Sequence, residues 1–316
     1  MLEENINYLD LFSGIGGFRF GLKQAGFKFK WEGHSEIDKY AESLYHKYFP
    51  QSECLGDVRK IIPDGLPRID IITFGFPCSD LSVAGKRKGL HGERSGLFFE
   101  AMRIIKAIRP KIFIFENVKG LLSSNGGRDF VGILREIASI GIYECEWELI
   151  NSKWFVPQNR ERIFFIGHFG GKSSPQVFPL KIGHETYSED NRQKRQNRLE
   201  TAYSMCIRGG AKQRYDSETL IQYGASQDMR LSPINGVSQA LNAGHYNQPK
   251  IIQKTRIRRL TPMECEKLQG FPAKWTEKGI DKNGTEVKIS DTQRYKMLGN
   301  AVTTNVVKEI GRRLME

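Results

Sequence analysis

The order of apolar and polar positions divides the chain into a regular first half and an irregular second half. Short apolar runs alternate with stretches in which apolar residues recur every three or four positions. The runs predict strands at Asn7–Phe12, Phe29–His34, Asp70–Phe74, Lys111–Phe115, Tyr143–Ile150 and Ile163–Ile166, and the stretches predict helices at Gly17–Ala25, Lys39–Tyr48, Ser95–Ile108 and Asp129–Ile140. This alternation predicts an α/β fold with a Rossmann-like, mostly parallel sheet covered by helices on both faces.

The regular pattern stops after Gly167. Residues 168–255 are rich in Gly, Ser, Asn, Gln, Lys and Arg, with scattered aromatic residues that favour a small, loop-rich domain. Helical patterns return at Thr261–Gln269, where Thr261 and Glu264 have the spacing of a capping box, and at Val302–Leu314. We therefore predict a catalytic domain formed by residues 1–167 and 290–316, and a smaller irregular domain formed by residues 168–289.

The net charge of +12 is concentrated in the second half of the chain. Residues 168–316 contain 25 basic and 15 acidic side chains, whereas residues 1–167 contain 23 and 21. Such segregation favours a polyanionic partner, because contacts with phosphates release counterions. A solvated, lysine-rich surface is the alternative interpretation.

Composition also indicates the cellular compartment and argues against metal and disulfide chemistry. No apolar run is long enough to span a membrane, and the first residues lack a basic leader, so we expect no membrane association and a cytoplasmic location. The five cysteines, at positions 54, 78, 145, 206 and 265, contain no C-x-x-C pair. We therefore expect neither a metal site nor a disulfide framework.

A glycine turn, DLFSGIGGF at 10–18, joins the first predicted strand to the first helix. It does not fit the G-x-G-x-x-G pattern of dinucleotide-binding proteins. Asp10, Glu36 and Asp57 lie at or near the ends of neighbouring strands, and carboxylates suit a ribose diol and a cation better than a pyrophosphate. The turn therefore indicates an S-adenosylmethionine site, and a purely structural tight connection is the alternative.

Cys78 follows Pro77 directly after the buried strand Asp70–Phe74. The next segment, residues 79–94, carries three consecutive basic residues at 86–88, and nearby positive charge stabilises a thiolate. The glycines of that segment would allow it to close over a substrate. We predict that Cys78 is a nucleophile, whereas an isolated cysteine in general is more often inert core filler.

Three further charged residues lie at strand ends. Glu116 ends the apolar run Lys111–Phe115, where it is placed for proton exchange, with a solvent-facing acid as the alternative. Arg160 and Arg162 flank Glu161 just before the last strand. They suit a base carbonyl or a phosphate, or else form a surface ion-pair cluster.

Taken together, the motifs resemble those of the DNA (cytosine-5) methyltransferase family, of the bacterial and phage restriction-modification type. The resemblance rests on DLFSGIGGF, GDV, GFPCSDLSVAGKRKGL, ENV, PQNRERIFFIG, RRLTPMECEKLQGFP and MLGNAVTTNVV, in the family's order. It covers residues 1–167 and about the last 60 residues.

The resemblance implies a mechanism and a cofactor pocket. Cys78 would add to carbon-6 of a cytosine extruded from the duplex, Glu116 would hold N3 and the exocyclic amine, Arg162 would contact the base carbonyl, and Arg160 would support the cysteine. S-adenosyl-L-methionine would leave as S-adenosyl-L-homocysteine. The pocket residues implied by family position and by the glycine turn are Asp10, Phe12, Ser13, Gly14, Ile15, Gly16, Gly17, Glu36, Ile37, Asp57, Val58, Pro77, Leu97, Asn300 and Ala301. Ile37 stands where many members have an aromatic residue.

The irregular domain occupies the position of the family's target-recognition domain. Its nearest counterpart to the family's Thr-Leu-Thr segment is residues 238–243, SQALNA. The implied partner is double-stranded DNA in the nucleoid, bound by a monomer that a restriction endonuclease for the same site can accompany. The alternatives are a tRNA cytosine-5 methyltransferase, a nicotinamide-dependent oxidoreductase and a catalytically silent DNA-binding protein.

Overall fold

The computed structural model describes residues 5–76, 96–170, 176–180, 220–222, 231–233, 238–239, 250–253 and 256–316. Pro77, Cys78 and the basic segment that follows them lie outside the described residues. The nucleophile assigned from the sequence therefore stays a prediction.

Fifteen strands and seven α-helices are assigned within these ranges. The strands are β1 Ile6–Leu11, β2 Phe29–Ser35, β3 Glu53–Cys54, β4 Ile71–Phe74, β5 Ile112–Val118, β6 Tyr143–Asn151, β7 Gln158–Asn159, β8 Glu161–Phe169, β9 Leu220–Gln222, β10 Leu231–Pro233, β11 Ser238–Gln239, β12 Lys250–Gln253, β13 Arg256–Arg259, β14 Lys278–Ile280 and β15 Glu286–Lys288. The helices are α1 Gly17–Ala25, α2 Lys39–Tyr48, α3 Leu97–Ile108, α4 Arg128–Ser139, α5 Pro262–Leu268, α6 Asp291–Asn300 and α7 Thr304–Met315.

The main sheet contains seven strands in the order β3-β2-β1-β4-β5-β8-β6. Strand β8 runs antiparallel to both of its neighbours, and the pairs among β1 to β5 are parallel. The prediction of a mostly parallel α/β sheet is confirmed. The strand order reverses between β1 and β4, and in such sheets ligands bind at the carboxyl ends of the strands at this switch point.

The central strands are buried on both faces, as their continuous apolar sequences predict. All four residues of β4 are buried, as are the first four of β5. Helices α1 and α7 pack on the sheet in close contact: a Cβ at Gly21 would lie 2.5 Å from Val307. This close packing fixes the first strand and the glycine turn that follows it.

Residues 260–289 pack against the first half of the chain, although the sequence pattern placed them in the irregular domain. Phe271, Trp275 and Ile289 belong to one buried apolar cluster with Ile15 and Leu44. We propose that this segment is part of the catalytic unit. Its few apolar positions are separated by polar ones, so its local pattern resembles that of the irregular domain.

The start of the irregular domain also remains attached to the sheet. Val177, Phe178 and Leu180 pack in the same buried cluster as β8 residues. The Glu146 carboxylate on β6 accepts hydrogen bonds from His168 Nε2 at 2.8 Å and from the backbone N–H groups of Val177 and Phe178. Burial opposes its ionisation, but these bonds hold the pKa of Glu146 below its usual value. Residues 176–180 therefore lie against the main sheet, although the sequence pattern placed them in the irregular domain.

Beyond this point the described strands form small sheets. Strands β10, β9, β12 and β13 form an antiparallel sheet, and β11 pairs in parallel with β7, just before Arg160. None of the helices in the described ranges combines the length and apolar content needed to cross a bilayer.

Candidate active site

The glycine turn between β1 and α1 has a backbone that glycine alone adopts freely. Gly14 and Gly16 have φ of 54° and 81°, in the left-handed region, and Phe12 precedes them at 51°. A Cβ at Gly16 would lie 2.4 Å from a Phe49 ring carbon, and one at Gly17 would lie 2.7 Å from Val302. One side of the turn therefore packs closely against Phe49 and Val302.

The acid at the end of β2 lies at this turn, as predicted. Glu36 accepts a hydrogen bond from Gly14 N–H at 2.8 Å and from the N–H groups of Ile37 and Asp38. Ile37 follows with 76% of its surface exposed. An exposed apolar side chain beside a carboxylate can cover the face of a planar ligand ring.

The predicted pocket residues after β3 lie next to the same strand end. Ser35 Oγ donates to the Gly56 carbonyl at 2.6 Å, which joins the GDV segment to β2. Val58 is buried, and the Asp57 carboxylate binds Arg59, whose nearby guanidinium holds the pKa of Asp57 below its usual value. The half-buried Phe12 and Leu97 side chains pack on the apolar cluster that contains Val58.

Two features of the turn fit a small polar ligand. The buried Ser13 hydroxyl has no hydrogen-bond partner among the described residues. Among the described residues, a Cβ at Gly14 would meet nothing closer than the Phe12 carbonyl at 4.0 Å, so those residues leave space beside this glycine. An unpaired buried hydroxyl beside an open backbone is suited to a ligand that supplies the missing hydrogen bond.

Asp10 is a correction to the predicted pocket. Its carboxylate is fully buried in the sheet, where it accepts hydrogen bonds from Thr73 Oγ1 at 2.8 Å and from the Tyr45 hydroxyl at 3.2 Å. Burial raises the pKa of Asp10 to about 7 despite these bonds. Asp10 therefore supports the turn from below and is not open to a ligand.

The predicted base-binding residues meet at the ends of the next strands. Arg162 Nε lies 2.8 Å from Glu116 Oε1, and both side chains are largely buried. Oε1 accepts no hydrogen bond of ordinary geometry within the described residues, so the carboxylate has capacity for a ligand. A Cβ at Gly75, just after β4, would lie 3.8 Å from Glu116 Oε2. The ends of β4, β5 and β8 thus adjoin.

Arg160 holds the 299–301 segment, which contains two of the predicted pocket residues. It is almost fully buried, and its Nη2 donates to the carbonyls of Gly299 at 3.1 Å and Ala301 at 3.0 Å. Asn300, between them, is exposed at the end of α6. The arginine that was predicted to support the nucleophile therefore also holds the segment that was predicted to bind the cofactor.

Sequence reasoning missed a buried polar network behind this segment. Gln269 Nε2 donates to the Leu298 carbonyl at 2.8 Å, and Thr303 Oγ1 donates to Gln269 Oε1 at 2.9 Å. Trp275 Nε1 donates to the Ile15 carbonyl of the glycine turn at 3.1 Å. The available signal was a glutamine within an apolar helical pattern, since a buried amide requires partners.

One group of potential metal ligands occurs at the sheet edge. His34, Glu42 and Cys54 each place a ligand atom within 4.8 Å of the others. Burial raises the pKa of Cys54, with a further increase from Glu42, which disfavours the thiolate that a metal requires. His34 Nδ1 already pairs with Ser52 Oγ at 2.9 Å. We assign no metal to this group.

Several known proteins are similar to this chain. The chain is 31% identical over 312 residues to the type II methyltransferase M.Bsp6I of Bacillus sp. (strain RFL6), covering 95% of each protein. It is 30% identical to the type II methyltransferase M.HpaII of Haemophilus parainfluenzae, covering 100% of this chain and 90% of that one. The crystal structure of the S. pombe Dnmt2 methyltransferase has the same fold, with a TM-score of 0.67, 17% identity and 98% coverage of both chains.

The family comparison extends over nearly the whole sequence. The model for C-5 cytosine-specific DNA methylases matches residues 6–190 and 180–316. The match includes the glycine turn, the Glu116 strand and the Arg160–Arg162 segment. The chain therefore belongs to the C-5 cytosine-specific DNA methylase family.

Proposed function

We propose that the protein transfers a methyl group from S-adenosyl-L-methionine to carbon-5 of a cytosine in a specific duplex DNA sequence, through a covalent bond between Cys78 and carbon-6. The observation that carries this proposal is the meeting of Glu116, Arg162 and Gly75 at neighbouring ends of β4, β5 and β8. Strand β4 pairs with β1, which leads into the glycine turn. Three residues reach at most about 11 Å, so the chain leaving Gly75 can bring residue 78 to Glu116.

The glycine turn and its neighbours would hold the cofactor. Glu36 suits the ribose hydroxyls, the exposed Ile37 suits the adenine face, and the unpaired Ser13 hydroxyl suits a polar group of the methionine part. Phe12, Asp57 and Leu97, with Asn300 and Ala301, complete the walls. When bound, S-adenosylmethionine supplies an electrophilic methyl group on a sulfonium.

The base half of the site would prepare cytosine to accept that methyl group. The Cys78 thiolate forms a bond to carbon-6, and the electrons of the 5,6 double bond move into the ring, which makes carbon-5 nucleophilic. Glu116, positioned at N3 and the exocyclic amine, stabilises this adduct by holding a proton at N3. Arg162 Nε, beside Glu116, is placed to bind the base carbonyl.

Release of the product would begin from the methylated Cys78 adduct. Once carbon-5 carries the methyl group, a base removes its remaining proton. The electrons of that C–H bond restore the 5,6 double bond and expel the Cys78 thiolate. Arg160 would support the nucleophile segment, as the resemblance implies, and its Nη2 holds the 299–301 segment through bonds to two carbonyls.

The irregular, basic stretch would choose the DNA sequence. Strand β11 pairs with β7, which places the start of the 238–243 segment next to the strand that precedes Arg160. The excess of basic residues in 168–260, 15 against 7 acidic, suits phosphate contacts, while polar side chains would read base edges. We further propose a monomer acting at the nucleoid, which a cognate endonuclease can accompany.

Transfer of a tritium-labelled methyl group tests this proposal. Purified protein is incubated with labelled S-adenosylmethionine and either unmethylated duplex DNA or bulk tRNA. Label in DNA, recovered as 5-methylcytosine at one sequence context, supports it. Label only in tRNA would overturn the substrate assignment, and absence of cofactor binding together with binding of NADH would overturn the cofactor assignment.

A further inference from the structure

The segment from Gln269 to Thr276 contacts both walls of the proposed cofactor cleft. Trp275 Nε1 reaches the Ile15 carbonyl in the glycine turn at 3.1 Å. At the other end of the segment, Gln269 Nε2 reaches the Leu298 carbonyl at 2.8 Å, one residue before the carbonyls held by Arg160. One short piece of chain therefore bridges two parts of the pocket that are about 280 residues apart in sequence.

This bridging segment is itself held rigidly. The fully buried Glu266 carboxylate accepts hydrogen bonds from the N–H groups of Lys274 and Thr276 and lies 3.1 Å from Arg294 Nη2. The Trp275 ring stacks on Tyr48, with ring centroids 3.7 Å apart and planes 6° from parallel. The Tyr48 hydroxyl donates to the Trp275 carbonyl at 2.9 Å. The direction of the indole N–H is thus fixed by packing and by hydrogen bonds.

The indole N–H adds to the bonds that already hold the glycine turn, namely Gly16 N–H to the Ser13 carbonyl and Gly14 N–H to Glu36. The glycines of the turn have the largest backbone freedom to lose on ordering. Ile15 is buried, and a buried carbonyl without a donor is costly, so the indole N–H stabilises the turn in one conformation. On the opposite wall of the proposed cleft, the Leu298 carbonyl likewise accepts its hydrogen bond from a side chain, the Gln269 amide.

We propose that Trp275 and Gln269 are positioning residues for the methyl donor: together they fix the two walls of the cleft in the conformation that binds it. This inference rests on the proposed function, since it takes the cleft to be the cofactor site. Neither residue touches the reacting atoms. Their effect therefore falls on cofactor affinity rather than on turnover of the bound complex.

Two full-length variants test the two walls separately. Trp275→Phe keeps an aromatic ring against Tyr48 but loses the N–H donor, and Gln269→Met keeps the side-chain length but loses the amide. We expect the Kd for S-adenosylhomocysteine, measured by calorimetry, and the KM for S-adenosylmethionine to rise about tenfold for Trp275→Phe, which loses one buried hydrogen bond. The rise should be at least as large for Gln269→Met, which loses two. The kcat and the Kd for DNA should stay within about twofold of wild type.

Matched controls separate positioning from loss of fold. Trp147→Phe makes the same change at a half-exposed tryptophan on the far edge strand β6 and should leave every constant unchanged. If Trp275→Phe is insoluble, Tyr48→Phe removes only the bond to the Trp275 carbonyl and should raise the cofactor Kd two- to threefold.

An unchanged Kd for S-adenosylhomocysteine in either variant overturns the role of that residue. An equal loss of cofactor and DNA affinity, with a lower Tm, assigns it to general stability instead and also overturns the inference. Failure of the wild-type protein to bind S-adenosylhomocysteine would be a different result, because it contradicts the proposed function itself.

Discussion

The two halves of the active site are built in different ways. The cofactor half consists mainly of backbone: a turn of left-handed residues, pressed against Phe49 and Val302 on one side and held by Trp275 on another. The base half consists of charged side chains at strand ends, where Glu116 and Arg162 face each other. Changes in the first half should therefore alter affinity and stability, whereas changes in the second should alter turnover.

Glu116→Gln is expected to separate an effect on turnover from an effect on binding most clearly. This change removes the carboxylate proposed to stabilise the cytosine adduct but leaves a side chain of the same shape. We expect kcat to fall by about 10²- to 10⁴-fold, the range for a positioned proton-transfer group, with Kd values for cofactor and DNA little changed.

Glu161→Gln provides the control for that comparison. Glu161 lies on β8, and its ion pair with Lys119 is exposed to solvent. Exposed ion pairs contribute little, so activity should stay near the wild-type value. A kcat for Glu116→Gln within tenfold of wild type would contradict the assignment of Glu116.

Asp10→Asn tests the role of the buried Asp10 carboxylate at the end of β1. The pKa of Asp10 is raised to about 7 in the folded protein by burial, above its value in the unfolded chain. The folded state therefore keeps a proton that the unfolded chain releases above about pH 4, and stability falls as the pH rises from about 4 to 7. Relative to Asp10→Asn, the wild type should lose up to about 4 kcal/mol across that range.

Urea denaturation at pH 5 and pH 8 measures this difference. Asp64→Asn, a change at an exposed acid, provides the matched control and should track the wild type. Parallel pH dependence of the wild type and Asp10→Asn would mean that Asp10 does not titrate in this range.

Arg160→Lys should affect both halves, because Arg160 binds the 299–301 segment and is predicted from the sequence to support Cys78. A lysine ammonium lacks the planar fork that reaches the carbonyls of Gly299 and Ala301. We expect kcat/KM to fall about 100-fold, with contributions from both kcat and the cofactor KM. Arg312→Lys, at an exposed helical ion pair, should be silent. A change confined to kcat would show that the arginine serves the base half only.

Two glycines sharpen the comparison within the cofactor half. A Cβ at Gly17 would lie 2.7 Å from Val302, so Gly17→Ala should lower the free energy of unfolding by about 1–3 kcal/mol through overpacking.

A Cβ at Gly14 would meet no described atom closer than 4.0 Å, and the positive φ costs an alanine only about 1 kcal/mol. The main effect of Gly14→Ala should therefore be weaker cofactor binding. Thermal unfolding with and without S-adenosylhomocysteine distinguishes the two; the same cofactor-induced shift in both would contradict the proposed position of the ligand.

The sequence alone predicted those elements in which the local pattern of apolar residues matches the burial seen in the structure. Strands β4 and β5 were predicted because their apolar runs are buried on both faces, and Glu116 because it ends such a run. The capping box of Thr261 and Glu264 is also present. These features depend on neighbours in the chain.

What the sequence did not reveal depends on distant contacts. Asp10 looked available at a strand end, but Thr73 and Tyr45, which enclose it, lie on another strand and on a helix. The polar segment 260–289 has the local pattern of the irregular domain, whereas a few side chains, Trp275 among them, attach it to the glycine turn and its surroundings. The pair formed by Glu116 and Arg162 likewise arises only when β5 and β8 align.

Covalent trapping is the most direct test of the central claim, that Cys78 attacks cytosine. A duplex containing 5-fluorocytosine at the target position is incubated with the protein and S-adenosylmethionine, then separated under denaturing conditions, with Cys78→Ala alongside. Because fluorine cannot leave as the proton does, the account predicts a stable protein–DNA adduct whose peptide map places the bond at Cys78, and none with Cys78→Ala. An adduct at another residue, or full methylation of ordinary DNA by Cys78→Ala, would contradict it.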